Sequence, residues 1–443
     1  VEPETGWLPD LIYIDGEFES GVAMFAGSDG RITRFSGEPG NATRLPGRAM
    51  LPGLVNVHSH AFQRVIRGRT EKRTADRDTF WTWRVAMYHA ANRVTPEAMF
   101  HVARMAFLEM ALSGITTVGE FHYVHHDAGG APYADRNEMA LAVVRAAREI
   151  GIRIVVLRTA YVRAGFGKPP DPGQARFITP RVEDFIADTD ELRKTVAVGV
   201  APHSVRAVPL DYLREVALYA QANGLPLHMH VAEQPAEVEA CKAEYGRRPV
   251  ELLHDEGILD HRFTAIHAIH INDEEARFLG RSTVCACPTS ERNLGDGAVP
   301  ADRLYDAGAR ICFGSDSNIQ IDILEDARLL EYHLRMNRLE RAIVPDGARR
   351  LFESATESGS QSLHTPGGKF EIGRAADFLT VDLNDASIAG SPPDTLIDNI
   401  VFSLERTAIR EVAVSGKTIV HDGQHPLTDE ITREFVKVQR SLW

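Results

Sequence analysis

The stretch LPGLVNVHSHAFQR at 51–64 runs from apolar residues into His58 and His60, with only Ser59 between them. Side chains alternate faces along an extended strand, so these two imidazoles project the same way. Together they form half of a site for a divalent cation, since neutral histidine nitrogen suits zinc or ferrous iron at about 2.0–2.1 Å. The pair also reads as two hydrogen-bonded core histidines, so further ligands have to come from elsewhere in the chain. LPLHMHVAEQ supplies His228, His230 and Glu233, FTAIHAIH supplies His267 and His270, and ARICFGSD ends in Asp316. Asp316 is the hardest of these to explain structurally, because an unpaired carboxylate at the end of an apolar strand is costly to bury. A catalytic metal takes roughly three or four protein ligands plus water. The simplest assembly is therefore His58, His60, His230 and Asp316 around one ion, with Glu233 and His267 nearby and unbound. Glu233 also reads as a surface charge and His267 as a hydrogen-bonded barrel histidine. His228, a layer deeper, is expected to be structural. His122, His125 and His126 in FHYVHHD are expected in a loop, either solvated or behind the ligands.

These residues need a scaffold that brings distant segments together. Near-continuous apolar runs predict strands at 51–58, 115–121, 152–161, 196–204, 225–233, 263–270, 282–288 and 309–316, a hydrophobicity that fits parallel strands buried on both faces. The segments between them read as helical. In one, Thr95 is the N-cap, Pro96 takes the first helical position, Met99, Val102, Ala106 and Met110 share a face, and Gly114 stops the run. The alternation predicts an α/β fold, a (β/α)8 TIM-type barrel over 51–369, whose chemistry belongs at the C-terminal strand ends where the histidines and carboxylates fall. A doubly wound open sheet is the competing architecture, but no G-x-G-x-x-G fingerprint accompanies it. Both chain ends alternate apolar with polar residues around glycine-containing turns: LIYIDGEF, VAMFAGSDGRITRF and IREVAVSGKTIVHDG, with Ser415-Gly416 at the tip of the last. They predict a composite β-sandwich domain from 1–50 and 370–443.

Composition narrows the function. Over 443 residues, 44% hydrophobic and 25% charged residues describe a soluble globular chain. A net charge of −13 with no basic tract excludes a nucleic-acid partner. An anionic ligand would need arginines inside the pocket, working against the field of the whole protein. No run of about 18 apolar residues and no secretory pattern is present, so no membrane partner is expected and the location is read as cytoplasmic. Cys285 and Cys287 look like small core hydrophobes and Cys241 and Cys312 are far apart, so neither a disulfide nor a C-x-C metal site is expected. The Gly- and Pro-rich stretches 163–178 and 288–297 are candidate covers for the pocket.

As a set, H-x-H on the first strand, His and Glu three apart on the fifth, His on the sixth and Asp on the eighth resemble the amidohydrolase superfamily, in its mononuclear deaminase branch. The terminal β segments match its small flanking domain, and GRAADFLTVD at 373–382 resembles the return into it. Binuclear members use a carboxylated lysine at the end of the fourth strand. Here that end reads GVAPHSVR, so the resemblance implies one metal.

A narrower similarity, in HSHAFQR, DTFWTWR, EFHYVHHD, AGFGKPPDPGQARF, PHSVRAV, HVAEQPAEVEAC and NLGDG, is to the deiminases of that branch acting on N-formimino-L-glutamate. It implies hydrolysis of that compound to N-formyl-L-glutamate and ammonia, as in histidine breakdown, with zinc as the usual metal and ferrous iron as the alternative. Carried over by residue, it implies His58, His60, His230 and Asp316 as ligands and Glu233 as proton shuttle. His267 and Asp316 are implied to assist catalysis, and Gln63, Arg84, Tyr123, His203 and Arg206 to bind a small dicarboxylate. Arg84 falls between the first strand and its helix. A homodimer is the expected assembly. The alternatives are a related deaminase acting on another amidine or an amino-heterocycle such as guanine, for which Trp81 and Trp83 offer stacking, and a catalytically silent barrel scaffold. Loss of a ligand would mark the latter, and none is missing.

Overall fold

The computed structural model describes residues 4–73 and 79–443. Asp78 of DTFWTWR and the first three residues of the expected terminal domain lie outside the described residues. Eight parallel strands follow one another around a single sheet: Leu54–Ser59, Ile115–His122, Arg153–Ala160, Ala197–Pro202, Leu227–Val231, Phe263–His267, Thr283–Ala286 and Arg310–Phe313. The eighth returns to the first just beyond its end. The His60 N–H donates to the Asp316 carbonyl and the Asp316 N–H to the His58 carbonyl, both at 2.9 Å. Gly314 permits this approach, since a Cβ there would lie 2.7 Å from the Cβ of His58. The result is a (β/α)8 barrel whose seam is closed by the backbone of His58, His60 and Asp316.

Each expected barrel strand is present; most end before their apolar runs do, and two of the departures have a visible cause. Leu51 and Pro52 end a separate strand, Thr43–Pro52, paired with Leu379 and Phe378 outside the barrel. The chain crosses into the barrel at Gly53, where a Cβ would sit 2.3 Å from the Thr116 side chain. The run expected at 263–270 stops at His267, because His267 and Ala268 adopt left-handed φ values of 73° and 50° that no strand can continue. The helix Pro96–Leu112 matches its sequence signals. Thr95 Oγ1 accepts the Ala98 N–H at 3.1 Å, and Gly114 leaves the helix with φ 81°.

The two ends of the chain meet in one mixed sheet of eight strands. Thr43–Pro52 lies at its middle, parallel to Thr5–Ile14 and antiparallel to Phe378–Asp382. Trp7, Ile12, Met24, Ile32, Met50 and Phe378 form a second, smaller apolar core there. The hairpin Ile409–Val414 to Lys417–Val420 turns at Ser415 and Gly416, both with positive φ (48° and 70°), the geometry a two-residue turn requires. The segment expected to belong to this domain as far as 443 is itself divided. Thr428–Leu442 is a helix that lies on the barrel: Glu430 pairs with Arg104 at 2.8 Å, and Gln439 donates to the Val65 carbonyl at 2.9 Å. Ile431, Phe435 and Leu442 are buried along one face, and the barrel supplies the apolar surface they need. Among the described residues no helix is long and apolar enough to cross a membrane.

Candidate active site and metal centre

His58, His60, His230 and Asp316 converge at the C-terminal mouth of the barrel. One potential ligand atom from each lies within 4.8 Å of all the others. Asp316 Oδ1 is 3.2 Å from His58 Nε2 and 3.3 Å from His60 Nε2, and His230 Nε2 is 3.2 Å from His58 Nε2. Backbone carbonyls choose the tautomers. His60 Nδ1 meets the Phe121 carbonyl at 2.9 Å and His230 Nδ1 meets the His203 carbonyl at 3.0 Å, so each Nδ1 carries the proton and each Nε2 presents its lone pair inward. Burial pushes the His58 pKa down to about 3. Burial, together with His203 and His58, pushes His230 well below the usual histidine range, so both rings are neutral. Burial opposes ionisation of Asp316, yet its contacts with His58 and His60 hold its carboxyl well below the ordinary value. Neutral imidazole lone pairs and a carboxylate aimed at one point repel unless a cation lies between them. This donor set therefore fits a divalent metal.

A polar net behind the ligands joins the first and eighth strands. Asn56 Nδ2 donates to Ser315 Oγ at 2.7 Å, Ser315 Oγ to Asn318 Oδ1 at 2.6 Å, and Asn318 Nδ2 to the His60 carbonyl at 3.0 Å. Asp316 and Asn318 both take left-handed backbone, with φ 45° and 55°, as do Ala232 beside Glu233 and His267 itself. Such residues cost about 1–3 kcal/mol each and persist where the surrounding structure over-determines them, here at the strand ends that carry the site.

Glu233 and His267 stand beside this centre. His267 Nδ1 bonds Glu291 Oε1 at 3.1 Å, leaving Nε2 facing Glu233 Oε1 at 3.8 Å. Burial works against a charged His267, but the Glu233 and Glu291 carboxylates raise its pKa well above the usual histidine value. Burial likewise raises Glu233, with His267 opposing. Glu291 was not singled out by sequence. It lies in PTSERNLGDG, a stretch expected as a loop cover, which instead begins with the helix Pro288–Leu294 and turns Glu291 inward. His267, Cys287 and Glu291 also approach within 4.8 Å. That grouping is accounted for by the His267 bond and by the Cys287 N–H, which donates to Glu291 Oε1 at 2.8 Å.

One cavity is lined by His60, His230, Asp316 and Glu233 and by all five residues implied for substrate: Gln63, Arg84, Tyr123, His203 and Arg206. Gln63 Nε2 donates to Tyr123 Oη at 2.8 Å. The His203 ring stacks on His230 with centroids 4.6 Å apart, and burial together with Arg206 pushes its pKa well below the usual value. Arg206 is buried. Burial alone would lower its pKa, but Tyr161 and Glu237 outweigh that and keep it charged. Arg84 lies on a helix of its own, Phe80–Ala91, with its guanidinium carbon 4.8 Å over the Trp81 ring and 5.2 Å over Tyr88. His58 and His267 are fully buried and do not line the cavity. Tyr88, Tyr161 and Phe177 line it without having been picked out in the sequence. Tyr161 ends an expected strand, which was the available signal.

The other histidines divide as follows. His228 is a deep structural residue, its Nε2 3.2 Å from the Ser362 carbonyl. His122, His125 and His126 are not solvated, and His122 ends the strand Ile115–His122 rather than lying in the loop. All three are buried, His125 between the Thr159 carbonyl at 2.8 Å and the Arg158 guanidinium at 3.0 Å, and His126 on the Ile178 carbonyl at 2.8 Å. The reason is Arg158, itself fully buried and paired with Asp188 at 2.7 Å, which needs polar neighbours under this loop. His270 bonds the Asp296 carbonyl at 2.9 Å, and all four cysteines are free and buried.

The profile of the amidohydrolase family matches residues 49–419. The chain belongs to the amidohydrolase family. This amidohydrolase is 39% identical to the formimidoylglutamate deiminase of Pseudomonas aeruginosa over 90% of its own length and 91% of the relative's. It is 27% identical to a 5-methylthioadenosine/S-adenosylhomocysteine deaminase of Natronomonas pharaonis, over 85% and 82% of the two chains. Among solved structures, an amidohydrolase from Brucella melitensis superposes with a TM-score of 0.91 at 34% identity, covering 99% of each chain.

Proposed function

We propose that this amidohydrolase hydrolyses the formimino group of N-formimino-L-glutamate, giving N-formyl-L-glutamate and ammonia, with zinc as its metal. The carrying observation is the cavity that joins a single-ion ligand set to Arg84, Arg206 and Tyr123 within an acidic protein. The 39% identity to a formimidoylglutamate deiminase supports the same reading. Three imidazole nitrogens and one carboxylate oxygen suit zinc.

A cation held by His58, His60, His230 and Asp316 would lower the pKa of a bound water from 15.7 to about 7 and so would supply a nucleophile at neutral pH. Glu233 takes the water proton as oxygen adds to the formimino carbon. It delivers that proton to the terminal nitrogen and then carries the remaining hydroxyl proton of the tetrahedral carbon to the same nitrogen, so the carbonyl forms as the C–N bond breaks and ammonia leaves. His267, held by Glu291, places its Nε2 proton beside Glu233 and stabilises the charge that develops at the tetrahedral carbon. Arg206 and Arg84 hold the two carboxylates, for which a planar guanidinium can pair both oxygens. Two arginines lining the cavity, Arg206 buried and Arg84 half-buried, favour a dicarboxylate over a neutral amino-heterocycle.

The test combines metal analysis with ammonia release from N-formimino-L-glutamate, guanine and 5′-methylthioadenosine assayed in parallel. The expected result is about one metal per chain and release from the first compound alone. Fully metal-loaded protein that releases none from it would reject the proposal. Arg206→Met is expected to keep its metal and lose at least about tenfold in kcat/KM, consistent with about 1.4 kcal/mol or more of lost binding. Unchanged kinetics would remove Arg206 from substrate binding.

A further inference from the structure

Gln174, fully buried at the end of the short turn Pro172–Gln174, has no part in the chemistry above. Its amide orientation is settled locally. The Asp171 N–H donates to Oε1 at 3.0 Å, which places Nε2 on the other side. There Nε2 donates to Tyr88 Oη at 2.9 Å and to Tyr161 Oη at 3.0 Å, one hydrogen to each. Both tyrosines line the cavity, Tyr88 on the helix Phe80–Ala91 and Tyr161 just past the strand Arg153–Ala160. Arg206 Nη1 also points at Tyr161 Oη, at 3.5 Å. A phenol oxygen that accepts from a donor cannot return its own hydrogen to that donor. Among the described residues neither hydroxyl donates to a protein acceptor. The two O–H hydrogens are therefore free to point into the cavity, beside a buried arginine.

Such a cluster presents chiefly donors, two hydroxyl hydrogens and the Arg206 guanidinium. A carboxylate, which offers about four lone-pair sites and no hydrogen, matches it, whereas an amide would set its own N–H groups against the donors. We propose that Tyr88 and Tyr161 form with Arg206 the recess for one substrate carboxylate, and that Gln174 is the positioning residue that turns both hydroxyls toward it. The inference rests on the dicarboxylate reading of the site.

Calorimetric titration of the metal-loaded protein with glutarate tests it. The Tyr88→Phe/Tyr161→Phe double variant is expected to bind at least about tenfold more weakly than wild type, with each single change in between. Gln174→Met keeps the side-chain shape and removes the constraint, so it falls between wild type and the double variant. Gln174→Glu keeps an oxygen for the Asp171 N–H but puts an acceptor where Nε2 stood. Both hydroxyls then turn inward, and this variant binds more weakly than Gln174→Met. Turnover supplies a readout that a merely structural role would not move: the preference for N-formimino-L-glutamate over its monoamides shrinks about tenfold in the double variant, whereas general damage lowers every substrate alike. No binding of glutarate by wild type, affinity in the double variant within about twofold of wild type, or Gln174→Glu binding as well as Gln174→Met would overturn the recess. Tyrosine-dependent glutarate binding by a wild-type protein that releases no ammonia from N-formimino-L-glutamate would instead reject deimination and leave the recess standing.

Discussion

Glu233→Gln is expected to yield a folded, metal-loaded protein whose kcat is lower by about 10²–10⁴-fold, the range typical of removing a positioned acid or base. The amide keeps the shape of the side chain but cannot take a proton from water and hand it to nitrogen. Glu233 is not one of the four converging ligands, so metal content measured by elemental analysis should match wild type. Thermal stability should not fall, because burial already raises the Glu233 pKa and penalises its charged form. KM should change little, since the role proposed for Glu233 is at the formimino carbon rather than at the carboxylates. Turnover within about tenfold of wild type would mean that another group moves the proton. His267, 3.8 Å away, would be the first to examine.

The second large effect is expected at Asp316. Asp316→Ala removes the one carboxylate among the four converging side chains and should weaken metal binding beyond the roughly 10–100-fold that loss of an outer partner of a ligand costs. Activity falls with it. The seam of the barrel should survive, because Asp316 bonds His58 and His60 through its backbone N–H and carbonyl. Alanine tolerates the φ of 45° poorly, which adds a modest strain. Melting with and without a chelator separates these effects. In wild type, a metal bound only by the folded state contributes about 4.1 kcal/mol at a concentration 1,000 times its Kd, so chelation lowers Tm. In the variant the chelator should shift Tm little. A variant that retains one tightly bound metal and a wild-type response to chelator would sink the four-ligand centre.

Much of this molecule follows from short-range pattern. The apolar runs mark eight strands because parallel strands buried on both faces tolerate little else. Thr95, Pro96 and Gly114 delimit a helix because capping needs only local atoms. His58 and His60 share a side because the strand period is two. Boundaries were less legible where two sheets compete for one run, as at Gly53, or where backbone turns left-handed inside an apolar stretch, as at His267. Apolarity alone does not encode either event.

The burial of His125 and His126 was not legible either. Their partners are Arg158 and the carbonyls of Thr159 and Ile178, and nothing in FHYVHHD announces them. By itself the sequence determined the barrel, the residue types of the centre and which of them leave each strand on a common side, since these depend on periodicity. Only the tertiary structure decided that Asp316 meets His58 across 258 residues, that Glu291 holds His267 and that Gln174 orients Tyr88 and Tyr161. Those contacts depend on where loops of no regular period carry a side chain. That position is set by closure and packing of the whole barrel rather than by neighbours in the chain.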